Sequence, residues 1–166
     1  MSQLSRLPLG RPPAVEAQSA EPHSRTLVEE AWHRHGVAVF ALALVLFDDT
    51  EEAEAIVAQA FLDACTPAEI AVESVSRHDM ARYVYVLWLR RMAQPGVARA
   101  QLRARWKPAR TTGMPALRRL SHLQRTAIAL ALFGEHTYRE IATLMELPPQ
   151  DVADLMRSGL LAATDA

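Results

Sequence analysis

Four times in this chain a Ser, Thr or Asp is followed three residues later by Glu or Gln at the head of an apolar stretch: Asp49–Glu52, Thr66–Glu69, Ser121–Gln124 and Thr137–Glu140. The first backbone N–H groups of a helix have no intrahelical partner. A short side-chain oxygen at the cap accepts from one of them, and the Glu or Gln reaches back to the cap's own N–H. Such pairs therefore mark helix starts. The downstream residues agree: after Asp49 the apolar positions Ala53, Ile56, Val57, Ala60, Phe61 and Ala64 recur at three and four, one stripe of a helix. No stretch alternates with a period of two, so the chain is expected to be all-α.

Placing the remaining elements completes the map. A first helix is predicted from near Ser24 to Phe47, apolar on nearly every side in its last three turns and so buried. It stops at Asp48-Asp49-Thr50. Pro67, at the first position after Thr66, suits a further start. A long helix is expected from about Asp79, with Met80, Tyr83, Val84, Leu87, Trp88 and Met92 inward. Pro95-Gly96 interrupts it, and a basic helix resumes to about Trp106. Gly134 is expected to close the helix opened by Ser121, the Thr137 helix to run to about Glu146, and a last helix to run from Pro148-Pro149 to near Leu161. Residues 1–23, with four prolines and no period, read as a tail. Residues 107–115 read as a linker, which divides the chain into units at 24–106 and 116–163.

Charge sharpens this division. The whole chain of 166 residues has a formal net charge of −1, which by itself argues against a nucleic-acid binder. The charge is sorted, however: residues 27–80 carry −9, residues 81–125 carry +11 without one carboxylate, and residues 126–166 carry −4. A cationic stretch of that density suits phosphates, whereas the acidic stretch at 48–54 would be repelled by them.

Several chemistries find no support in the sequence. The one cysteine, Cys65, allows no intramolecular disulfide or thiolate metal cluster and is expected to be a buried thiol. Glu29 and His33 share a helix face near His35, but no second ligand pair accompanies them, so no metal or other cofactor is expected. His122 and His136 fall at a helix start and in a loop, where they need no catalytic role. Six glycines form no phosphate-cradling loop, no nucleophile–base grouping can be read, and an enzyme is not expected. The longest apolar run, Val37 to Phe47, is eleven residues, too short for a bilayer. With no apolar leader either, the chain is expected to be soluble and cytoplasmic.

In the last unit, Ala142 lies on one short helix and Val152, ten positions later, on the next. A small residue lets the first helix approach closely, and an apolar one locks the second across it, as in a helix-turn-helix. With the surrounding residues the chain resembles a sigma-70 family RNA polymerase sigma factor of the small extracytoplasmic-function group over roughly residues 25–163. The resemblance is carried by Leu123-Gln124-Arg125, Leu130 to Gly134, Glu140-Ile141-Ala142, Leu147 and Val152, and in the first unit by Asp48 to Glu54 with Ile56, Val57 and Phe61. Trp88-Leu89-Arg90-Arg91 is similar to the start of the family's promoter-opening helix.

The resemblance implies two helical domains, one for polymerase binding and promoter melting and one with a helix-turn-helix. It implies core RNA polymerase and promoter DNA as partners, with an anti-sigma factor as a possible third and no insertion into a membrane. Glu51, Glu52, Glu54, Ile56, Gln59 and Phe61 would then contact polymerase. Arg90, Arg91, Arg99, Arg103 and Arg105 would contact the melted upstream element, and Arg139, Gln150 and Arg157 the distal one. Unpaired bases need exposed aromatic faces; Tyr83 and Trp88 fall at core spacing, which leaves Tyr85 and Trp106. The chain also departs from the family. Ala55 and Ala58 replace an Asp and a Gln of the polymerase-binding helix, and Glu146 replaces the turn glycine. Ala153, Asp154 and Leu155 replace a basic residue, a Ser and an Arg of the recognition helix. A sigma-like protein that works through protein contacts, without promoter recognition of its own, is therefore a second expectation.

Overall fold

The computed structural model describes residues 22–65, 75–93 and 115–164, and every regular element among them is helical. Helix α1 spans Pro22–Phe47, α2 Thr50–Cys65 and α3 Arg77–Met92. A short 3-10 helix at Pro115–Arg119 precedes α4 at His122–Gly134, α5 at Tyr138–Met145 and α6 at Pro149–Thr164. The expected start at Thr66-Pro67, the break at Pro95-Gly96 and the 107–115 linker up to Pro115 lie outside the described residues.

Local chemistry accounts for the helix ends. Asp48 adopts φ 57°, a left-handed conformation that Asp tolerates better than most residues, and it turns the chain out of α1. The Glu52 amide donates to Asp49 Oδ1 at 2.8 Å, which opens α2. Helix α3 begins two residues before the expected Asp79, because Ser76 is its cap and accepts from the Asp79 amide at 3.1 Å. Ser121–Gln124 and Thr137–Glu140 both form complete capping boxes. At the end of α4 the left-handed residue is Glu135, φ 59°, and not the glycine beside it. Gly134 is instead the last helical residue, and its missing side chain is needed for packing: a Cβ there would stand 2.8 Å from that of Ala81 and 2.7 Å from His136 Nδ1.

The buried residues form one cluster that runs from Leu27 in α1 to Val152 in α6. Its centre is α4, whose five consecutive residues Thr126 to Leu130 are all buried. A helix covered on every side needs neighbours on every side. Helices α1 and α3 supply one flank of α4, and α5 and α6 the other. The stretches that read as two units in the sequence thus share a hydrophobic core. In the first, Phe61 of α2 sits fully buried, edge-on to Trp32 of α1 with ring centroids 5.4 Å apart. Cys65 is buried too, and burial pushes its thiol pKa up, as suits an inert thiol.

Candidate functional site

Helices α5 and α6 are joined through Glu146, Leu147 and Pro148. Ile141 and Ala142 of α5 and Val152 of α6 are buried against each other's elements and α4. Glu146 takes the left-handed conformation, φ 54° and ψ 40°, that the sharp turn requires, so a glutamate does here what glycine does more cheaply. The Leu147 amide then bonds the Ala142 carbonyl at 3.0 Å. Gly159 faces α4, where a Cβ would stand 2.7 Å from Ile128 Cδ1, and Gln124 of α4 donates to Ser158 at 2.9 Å.

This packing fixes which side chains the pair turns outward. Gln150, Asp151, Asp154 and Arg157 of α6 are exposed, and Arg157 is bound to Asp154 at 2.8 Å. Arg139 of α5 is exposed beside Tyr138, its Nε donating to the phenol oxygen at 3.0 Å. Leu155 and Met156 are half-buried, and Met156 packs on the core. The exposed apolar residues of α6 are Leu160 and Leu161.

On α2, Glu51, Glu54 and Gln59 are exposed, with Gln59 bonded to Asp63 at 2.7 Å. Ile56 is half-buried against the core. Phe61 is 1% exposed, so it supports α2 from beneath and offers no surface to a partner. The apolar stripe of α2 decides its place, and the expectation of a polymerase contact there is corrected. Glu52 accepts from Arg91 Nε at 2.5 Å, which joins a residue expected at polymerase to one expected at DNA. Arg90 is exposed; Arg99, Arg103, Arg105 and Trp106 lie outside the described residues.

The aromatics of α3 exchange their expected places. Tyr83 is 42% exposed, while Tyr85 is 4% exposed. Because α4 packs on α3 in addition to α1 and α2, the buried stripe is Met80, Ala81, Val84, Tyr85 and Trp88. Trp88 is buried as expected, stacked on Tyr85 at 5.7 Å on one side and on His122 of α4 at 4.9 Å.

His122 belongs to a polar seam between the two halves of the chain that sequence spacing did not reveal. Along it His78 of α3 stacks on His136, in the connection between α4 and α5, with ring centroids 3.9 Å apart. Arg77 pairs with Glu135 at 2.9 Å, and His78 Nε2 lies 3.5 Å from Glu140. His35 of α1 bonds the Val75 carbonyl at 3.1 Å. Burial pushes the pKa values of His35 and His136 below the ordinary 6.5, and His78 adds to the effect on His136. Thr137 holds the Glu140 carboxyl below its usual range.

No protein-family model matches the chain, and no curated protein matches it. Among the described residues no group of three or more His, Cys, Asp or Glu side chains is arranged to hold a metal ion. His33 Nδ1 is 2.7 Å from the carbonyl oxygen of Glu29, and that contact uses the ring within its own helix. No helix among the described residues is long and apolar enough to cross a membrane.

Proposed function

We propose that the chain is a sigma-type transcription initiation factor that docks on core RNA polymerase and directs it to promoters from the cytoplasm. The observation that carries the reading is the α5–α6 pair. Two helices meet across Ala142 and Val152, joined by a turn tight enough to force Glu146 left-handed, and turn Arg139, Gln150 and Arg157 toward solvent. A helix held this way can enter a major groove, with Gln150 as a base reader and the arginines on phosphates. On α2 the exposed Glu51, Glu54 and Gln59 form the docking face, with Ile56 at its edge. Arg90 and the three arginines at 99, 103 and 105 grip the melted upstream element, and each neutralised phosphate releases counterions. Glu52 and Arg91, bound to one another, tie the two surfaces together.

A specific observation favours a second reading, in which the protein acts on polymerase or its regulators through protein contacts. The Arg157–Asp154 pair, beside Asp151, leaves the outer face of α6 poor in charge for phosphates. Reconstitution separates the two. Run-off transcripts from genomic fragments, made by core polymerase only when the chain is added, support the first reading. Binding to core without any transcript supports the second, with an anti-sigma factor among the further partners to assay. Failure to bind core contradicts the sigma reading outright.

A further inference from the structure

The seam holds an arrangement that the proposed function does not use. His136 is 4% exposed, and neither of its ring nitrogens has a hydrogen-bond partner of good geometry. Its slot exists because Gly134 has no side chain, and its ring lies nearly parallel to His78, 22° between planes. We propose that this stack is an acid-sensitive latch between the halves of the protein: proton uptake at His136 separates α3 from the connection between α4 and α5.

The groups around His136 compensate an added proton only in part. His78 of α3 stacks on its ring, with Arg77 and Asp79 its neighbours in the chain; Glu135 precedes it in the connection; Glu140 of α5 and the carbonyls of Gly134 and Leu130 act on its charge; on α1, Arg34 acts on His35. Glu135 is held by Arg77. Asp79 accepts the Ser76 hydroxyl and lies 3.9 Å from His78 Nδ1. Glu140 accepts the Thr137 amide and hydroxyl at 2.7 Å each and lies toward His78 Nε2. The carboxylates thus serve His78 and the rim, whereas an imidazolium at His136 needs acceptors on both nitrogens and has an imidazole against its face. Burial and His78 lower its pKa, while Glu140 and the carbonyls of Gly134 and Leu130 pull the other way more weakly. The closed seam therefore binds the proton less readily than the open one. Its advantage is complete above the ordinary value of 6.5 and declines as pH falls from there through the lowered value. The lowered pKa of His35, which holds the start of α3 through Val75, adds in the same direction.

The test uses the full chain and does not depend on what the protein binds. Spin labels at Glu54→Cys on α2 and Leu161→Cys on α6 report the separation of the halves, and buried Cys65 stays unlabelled. From about pH 8 to about pH 5, a second, longer distance should grow in at unchanged far-ultraviolet circular dichroism, and His136→Phe should abolish it. A distance that ignores pH, an opening that persists in His136→Phe, or loss of helicity in step with the opening would each overturn the latch. If His136→Phe does not fold, the nuclear magnetic resonance titration of His136 in the unsubstituted ring must coincide with the opening. A titration at the ordinary histidine value, out of step with the distance change, would overturn it as well.

Discussion

Phe61 offers the clearest test of how the first half is built, because the family resemblance and the helical period assign it opposite jobs. It is 1% exposed on α2, edge-on to Trp32 of α1 at 5.4 Å and 60° between planes. Phe61→Ala removes a whole ring from a packed site, and such truncations cost about 3–5 kcal/mol. Set against a total stability of about 5–15 kcal/mol for a domain, that is a large fraction. Part of it is specific to the ring pair: a double-mutant cycle with Trp32→Leu should return a coupling of about 0.5–1.5 kcal/mol. The assay is urea unfolding followed by circular dichroism, since absorbance and fluorescence change with the tryptophan. A surface contact residue would behave otherwise, with an unfolding change within about 0.5 kcal/mol. A loss below about 1 kcal/mol on Phe61→Ala, or a coupling indistinguishable from zero, would refute this packing of α2 on α1.

Three further outcomes are expected. Gly134→Ala should destabilise by about 1–3 kcal/mol in thermal unfolding although alanine favours helix, because the new Cβ meets that of Ala81 at 2.8 Å; stabilisation would show that the close approach is not there. Thr137→Ala should cost about 0.5–2 kcal/mol through loss of the capping box at the head of α5, and a neutral result would show that the box does not hold that helix start. In a polymerase–promoter complex, replacing Arg99, Arg103 and Arg105 together by Gln should lower the log–log salt slope by about 0.7–0.9 for each lost phosphate contact. An unchanged slope would leave those arginines without a role at DNA.

The range of the forces involved separates the features legible in the sequence from those that were not. The caps at Asp49, Ser121 and Thr137 were legible because each is settled within four residues. The stripe of α2 was legible for the same reason, and it placed Phe61 better than the resemblance did. Tyr83 and Tyr85 were exchanged because the buried face of α3 is widened by α4, a neighbour that no local period announces. Gly134 read as a terminator, while its true constraint is the approach of Ala81 and His136. His78, His122 and His136 carried no linear signal, since each acquires its partner only when the two halves pack. In the candidate site, exposure at Glu51, Glu54, Arg90, Arg139, Gln150 and Arg157 agrees with the outward positions expected. The Arg91–Glu52 pair has no signal in the sequence, because its members belong to surfaces expected to be separate, whereas Arg157–Asp154 is a local pair three residues apart on α6.

Docking of the outer face of α2 on core RNA polymerase, as proposed, is tested by a direct binding titration with purified core enzyme. Saturable one-to-one binding is predicted, and Glu51→Lys with Glu54→Lys should weaken it at least about tenfold, about 1.4 kcal/mol, with the helical content unchanged. No saturable binding by the unsubstituted chain, or equal affinity after both charges are reversed, would contradict it.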